Sequence, residues 1–454
     1  MNSIIRKGIA LASFTMAMST GYSQLKVTAE IRPRAEYRHG YKTLPDSASN
    51  NAMFVDQRTR LTINYKKDRI AFKVALQDVR TWGSQKQLVG NEDFGLSVHE
   101  AWGLAKLNDN LSLKFGRQEL VYDDHRILGS VGWAQQARSH DAVLFLFKKD
   151  KLKLHVGGAF NQDKPQLNTT SYTVGGSYKA MQYLWANYAF SDEFKASFLA
   201  MSVGQQVNFI NQAGEDTYQD NYTLTTGTRL VYKKDKLGAA LNGYYQLGST
   251  NTWPANSVSA FNLGLNVSYQ VTDPIKLTLG FEMLSGNSQT DTTVAYNKVQ
   301  HAFTPFFGTN HKFNGYMDYF YVGSSHGNVG LQDTYLKLLY KKDSWSVGLD
   351  AHMFMTAADV LDPVELASSG NIRAMSSSLG TEIDFSVMKK LRKNVTLKAG
   401  YSHMLASETL ATLKNVTYTT GADAGKGRTD QINNWGYVMI IFKPTFLVKE
   451  KEVK

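Results

Sequence analysis

A two-residue alternation of apolar and polar side chains recurs along this chain, and no long apolar run interrupts it. In 395–402, Val395, Leu397, Ala399 and Tyr401 fall on one side, and Thr396, Lys398, Gly400 and Ser402 on the other. The same pattern runs through 275–283, 237–247 and 345–351. A β-strand sends successive side chains to opposite faces, so each segment has one apolar and one polar wall. Segments of about ten residues of this kind, repeated between turn signals, are what a transmembrane β-barrel requires. The expected class is therefore all-β, an antiparallel barrel in an outer membrane, with transport as the first function to consider.

The first 23 residues read as a removable secretory leader. Arg6 and Lys7 give the positive start, Gly8 to Thr20 the apolar stretch, and Gly21 and Ser23 the small residues before a cut at Gln24. That stretch is shorter than the roughly 20 apolar residues a spanning helix needs. With no cysteine in the chain, disulfides and thiolate metal sites are excluded. The formal net charge is +11, and it falls to +9 when the leader and its two basic residues are removed. On a soluble protein such an excess would suggest nucleic acid. On a barrel, lysines at the rims and arginines in the lumen account for it, and no nucleic-acid partner is expected.

A short motif punctuates the sequence. Tyr65-Lys-Lys-Asp68, Phe147-Lys-Lys-Asp150, Tyr232-Lys-Lys-Asp235 and Tyr340-Lys-Lys-Asp343 each close one alternating run and open the next. Looser versions fall at 107–110, 191–193, 272–274 and 389–394. These eight are read as short periplasmic turns flanked by interfacial aromatics. Between them lie longer polar connections, at about 41–53, 83–94, 122–139, 163–171, 206–220, 249–257, 286–330, 357–373 and 406–433. Short turns at one end and long loops at the other is the usual asymmetry of such barrels. Eight turns and nine loops imply 18 strands; sixteen is the main alternative, with 171–191 the weakest part of the count. The domain reading is a leader over 1–23, a barrel over 24–446 whose last strand is 434–442, and a charged tail over 447–454. The longest loop, 286–330, holds aromatic clusters at 301–307 and 316–321 and either folds inward as a plug or extends outward.

The first two strands carry the sharpest constellation. Thr28, Glu30, Arg32, Arg34, Glu36 and Arg38 share one face of 26–38, and Arg58 and Arg60 share one face of 57–65. An arginine facing lipid at the bilayer midplane costs roughly 2–4 kcal/mol, so these five should point into the lumen. Arg229 lies on the polar face of 224–232, and Lys73, Lys114 and Lys195 are further candidates. Two readings stand side by side. Interleaved with Glu30 and Glu36, the arginines form a salt-bridged wall; as guanidinium forks they attract carboxylates and phosphates and set pore selectivity.

A second constellation spans 116–141: Gly116, Arg117, Gln118, Asp124, Arg126, Gly129, Trp133, Arg138 and Asp141. With the arginine-rich first hairpin, this stretch resembles the alginate-export porin family, clearly over roughly 26–150 and in strand rhythm beyond. The resemblance implies an 18-stranded barrel with an electropositive constriction that passes an anionic polysaccharide. It also implies that Arg117, Arg126 and Arg138, with Asp124 and Asp141, belong to that constriction. Asp123-Asp124-His125 departs from the family's more frequent glycine before the acid, and alginate itself does not follow from the label.

The residue types of a hydrolase are present, but no G-x-S-x-G or H-E-x-x-H spacing organises them, so no enzyme is expected. Asp123 and Asp124 alone fall short of the six or more oxygens of a calcium site. The expected function is a cofactor-free diffusion channel of the outer membrane with an arginine-lined lumen. The candidate substrate-binding residues are Arg32, Arg34, Arg38, Arg58, Arg60, Arg117, Asp124, Arg126, Arg138, Asp141 and Arg229. Expected partners are outer-membrane lipid, an anionic polysaccharide or small anions, and periplasmic export components, and the resemblance implies a monomer. The competing classes are a general anion or nutrient porin and a non-channel adhesive barrel.

Overall fold

The computed structural model describes residues 23–88, 95–172, 176–320 and 327–448. The leader read over 1–23 lies outside them except for Ser23. Eighteen antiparallel strands form the wall. The first nine are β1 (Ser23–His39), β2 (Ala52–Lys67), β3 (Ile70–Thr81), β4 (Leu96–Lys106), β5 (Leu111–Gln118), β6 (His140–Lys149), β7 (Leu152–Phe160), β8 (Ala180–Ala189) and β9 (Phe194–Ile210). The second nine are β10 (Asp216–Lys234), β11 (Leu237–Ser249), β12 (Ser257–Gln270), β13 (Ile275–Leu284), β14 (Leu331–Lys342), β15 (Trp345–Met355), β16 (Ser378–Arg392), β17 (Val395–Ala406) and β18 (Asn433–Phe442). Each pairs with its neighbour in sequence, and β18 pairs with β1, Met439 opposite Arg34 and Trp435 opposite Arg38, so no edge is left open. After a break at 443–444 the chain continues along β1 in the same direction: Thr445–Val448 pairs with Lys26–Thr28. Residues 447 and 448, read as the start of the charged tail, are thus part of the sheet.

The turn motif has a direct physical reason. Asp68, Asp150, Asp235 and Asp343 open two-residue turns with φ of 48°, 49°, 50° and 51°. Aspartate is among the few non-glycine residues that tolerate this left-handed region. The alternation splits each Lys-Lys pair. Tyr65 and Lys67 share the outer face of β2, whereas Lys66 pairs with Gln24 on the lumenal side. The outward Tyr65, Phe147, Tyr232 and Tyr340 make part of an aromatic girdle at the short-turn rim.

At the other rim the connections differ from the sequence reading in two places. Residues 206–220 are mostly strand, because β9 and β10 continue their pairing to Ile210 and Asp216 and leave only 211–215 as a turn. The link read as 163–171 instead runs from 161 to 179, and β8 is a single ten-residue strand. Short helices sit in the long loops: α1 (Val294–Asn297), α2 (Pro363–Ser369) and α3 (Glu408–Leu413).

The loop between β13 and β14 folds inward. Phe303 packs with Leu128 and Tyr183, while Met317, Tyr319 and Phe320 pack with Phe354, Leu410 and Trp435. Tyr321 lies outside the described residues. Lys414, at the end of α3, donates to the Tyr319 carbonyl at 2.6 Å. Burial lowers the Lys414 ammonium from its usual range to about 8. The unfolded loop therefore holds more protons between about pH 8 and 10, and docking of α3 should strengthen as pH rises through that window. Limited proteolysis of 407–420 against pH checks this, with Lys414→Met expected to flatten the profile.

Candidate functional site

The connection between β5 and β6, residues 119–139, is the centre of the lumen. It leaves the wall at β5 and touches strands far around the barrel. Asp123 accepts from Ser197 Oγ on β9 at 2.7 Å and from Trp185 Nε1 on β8 at 3.1 Å. Asp124 accepts from Arg229 on β10 at 2.5 Å and Asn242 on β11 at 3.0 Å. Arg126 reaches Glu282 on β13, Nε to Oε1 at 2.7 Å. Residues 132–135 then contact β1 and β2. A segment that bonds to strands on opposite sides of a closed barrel must cross its lumen, so 119–139 forms a shelf across the channel.

The arginines of β1 and β2 hold one end of that shelf. Arg32 donates to the Gly132 carbonyl at 2.8 Å and from Nε to Gln135 Oε1 at 3.0 Å. Arg34 donates to the Trp133 carbonyl at 2.9 Å, and its guanidinium lies 4.3 Å from the Trp133 ring centre. Arg58 bonds Glu30 and also the Gln135 carbonyl at 3.3 Å. Gln135 Nε2 completes the clamp by donating to Asp56 at 2.7 Å. Arg34, Glu36 and Asp56 form a line of ion pairs at 2.7 and 2.8 Å, extended by Arg38 to Glu36 at 2.8 Å. Arg60 donates to Gln77 at 2.7 Å. The salt-bridged wall and the lumenal arginines are thus the same residues.

The other end of the shelf is held by residues 307–314 of the inward loop. Arg126, 1% exposed, also donates to Asn314 Oδ1 at 3.1 Å and stacks 4.6 Å from Phe313. Asn314 Nδ2 shares the Glu282 carboxylate at 2.9 Å. Arg138 donates to the Gly308 carbonyl at 3.2 Å, Gly129 N–H to the Phe307 carbonyl at 2.9 Å, and Val131 N–H to Thr309 Oγ1 at 3.0 Å. The two backbones touch at Gly308, where a Cβ would stand 2.3 Å from the Arg126 carbonyl oxygen. A Gly308→Ala variant should therefore loosen the two loops by about 1–3 kcal/mol without changing any charge. Faster amide exchange in 126–131 would register it.

Nine of the eleven candidate residues meet this lumenal network. Arg117 and Asp141 do not. In β5, Arg117 follows the face of Leu113 and Phe115, and in β6 Asp141 follows Val143 and Phe145. Both point away from the lumen and pair with each other at the rim at 2.8 Å. The constriction role that the resemblance implied for them does not fit this placement, because strand parity fixes their side. Sequence reasoning missed Glu282, Gln135, Asn314 and Asn310, whose Oδ1 also accepts from Arg126 at 3.5 Å. Glu282 had a signal, being a lone acid at a lumenal position of β13; the other three lie in loops without periodicity.

His99, Glu100 and Glu119 form the one cluster of potential metal-ligating side chains among the described residues. A bulge opposite Ala75 and Leu76 turns both His99 and Glu100 inward. Each already has partners: His99 with Ser139 at 3.0 Å and Glu119 at 2.7 Å, Glu100 with Lys73 and with Trp102 Nε1 at 3.0 Å. The cluster reads as a structural link between β4 and the shelf.

A closed 18-stranded barrel with short turns, an aromatic girdle and inward loops is an outer-membrane porin, and porins of this type are not enzymes. The alginate export family model matches residues 23–420, and the chain belongs to that family. Solved structures share the fold at low identity. OccK3 (OpdO) of Pseudomonas aeruginosa matches with a TM-score of 0.57 and 13% identity over 93% of this chain and 96% of that one. OpdK of the same organism, solved with vanillate, matches at 0.55 and 9% over 93% and 99%. OccAB2 of Acinetobacter baumannii matches at 0.55 and 13% over 93% and 98%. No curated protein sequence matches the chain. The protein is thereby placed in the outer membrane, in contact with its lipid.

Proposed function

We propose that the chain is a passive channel for anionic oligo- or polysaccharides, with substrate contacts along the arginine wall and the shelf. The observation that carries this is the charge on the lumenal face of β1 and β2. Arg32, Arg34, Arg38, Arg58 and Arg60 share it with three carboxylates, Glu30, Glu36 and Asp56. Paired arginines still contribute positive potential, and Arg38, with its side chain 33% exposed, keeps donor edges toward water. Arg60 and the Asp124–Arg229 pair extend the path. A polycarboxylate would exchange its counterions for these groups and move between weak, similar sites, because tight binding would prevent release.

Removing the two arginines of the wall that make no bond to residues 132–135 tests this. Arg38→Gln with Arg60→Gln should lower the anion-to-cation permeability ratio severalfold, on the order of one screened charge pair, with the barrel folded. An unchanged ratio would remove the arginine wall from the selectivity mechanism. The second reading, a porin for small anions or nutrients, draws on the shelf itself, since segments crossing the lumen leave less room for a polymer. Polyuronate that blocks the channel but never crosses it would favour that reading.

A further inference from the structure

The mouth at the short-turn end has a composition that the arginine site does not use. Along each strand, the first two lumenal positions from that end can be read from the ladder registers. On thirteen of the eighteen strands one of them is a lysine, and on none is either an aspartate or glutamate. The Lys-Lys-Asp hairpins supply Lys66, Lys148, Lys233 and Lys341, and strands between them add residues such as Lys114 and Lys195. Of the thirteen, only Lys73 reaches a carboxylate among the described residues, that of Glu100. The carboxylates of this end sit in the turns, at the outer margin, as Asp68, Asp150, Asp235 and Asp343 do. Seven consecutive strands, β1 to β7, each carry such a lysine, and neighbouring strands lie ~4.8 Å apart. The result is a continuous cationic arc below the shelf.

We propose that this vestibule is a second binding site, for an extended polycarboxylate entering from the periplasmic side. The inference rests on the anion-channel reading above and adds to it a place and side of capture. Dense, unpaired ammonium groups on a low-dielectric wall raise the local concentration of a polyanion without fixing its register. The arginine wall lies farther along the strands from that mouth, with most of its donors engaged in ion pairs and loop carbonyls, so the first contact from this side falls to the lysines. The channel is then electrically polar, binding polyanion better from the periplasm than from outside.

The test uses the full-length protein inserted in one orientation in a planar bilayer, with polygalacturonate added to either side. Block from the periplasmic side should occur at about tenfold lower concentration than from the extracellular side, and the difference should shrink in high salt. Replacing the inward set, Lys66, Lys148, Lys233 and Lys341, by glutamine should abolish the asymmetry. The outward set, Lys67, Lys149, Lys234 and Lys342, removes the same charge from the same turns and should leave it intact. Equal block from both sides in the wild type, or equal effects of the two sets, would overturn the proposal. An anion-selective channel with symmetric block overturns only the vestibule; a channel without anion selectivity overturns the reading beneath it. If the inward set fails to insert, the wild-type asymmetry and its salt dependence still decide.

Discussion

Replacing Arg126 with methionine should loosen the two inward loops against each other and against the wall, and raise single-channel conductance. Arg126 is buried, and its guanidinium holds Glu282 of the wall and Asn314 of the long loop together. Methionine keeps the aliphatic length but strands the Glu282 carboxylate with only Asn262 and Asn314 as donors. Breaking one side of a buried ion pair costs about 3–5 kcal/mol. The strands lose no ladder hydrogen bond, so the cost should fall on local opening of 119–139 and 303–320. Amide exchange in those segments should accelerate roughly a hundredfold or more, with the barrel's own exchange unchanged. Glu282→Gln keeps the shape and leaves Arg126 unpaired, and should give the same pattern. Unaltered conductance and exchange in both variants would mean that the shelf is held elsewhere.

The second large effect is expected from Arg32→Ala combined with Arg58→Ala. These side chains supply most of the hydrogen bonds that pin Gly132 to Gln135 against β1 and β2, beside those of Arg34 to Trp133 and of Gln135 to Asp56. Hydrogen bonds to a charged group contribute ~1.5–3 kcal/mol each, and Glu30 would at the same time keep only Lys443, at 3.6 Å, as an ion-pair partner. The shelf should detach at this end, widen the path and reduce anion preference together, because the same residues hold the loop and carry the charge. The conservative pair Arg32→Lys and Arg58→Lys should keep the charge but not the forked geometry. Selectivity near wild type with higher conductance is expected of it. If the lysine and alanine pairs behave alike, the arginines act only as charge and the clamp is irrelevant.

The wall of this barrel is legible in the sequence, because a period of two and an aspartate-led turn leave little freedom. All eight short turns fall where the motif and its looser versions place them, and the arginines of β1 and β2 lie on the lumenal face that alternation assigns them. Alternation even contains the correction for Arg117. It follows Leu111, Leu113 and Phe115 at spacings of two, on the apolar side, and a shared motif outweighed that parity. The inside of the lumen is another matter. The shelf depends on side chains meeting backbone carbonyls a hundred residues away, as Arg32 meets Gly132. Gln135 and Asn310 stand in polar loops with no period to set them apart. Glu282 lies between these cases: its lumenal position was readable, its partner Arg126 was not.

The most direct test is the reversal potential of the purified protein in a planar bilayer under a potassium chloride gradient, before and after adding a polyuronate. An arginine-walled channel with a lysine mouth should conduct anions in preference to cations and should be blocked by the polymer in a salt-dependent way. A cation-selective or unselective conductance that ignores the polymer would contradict it.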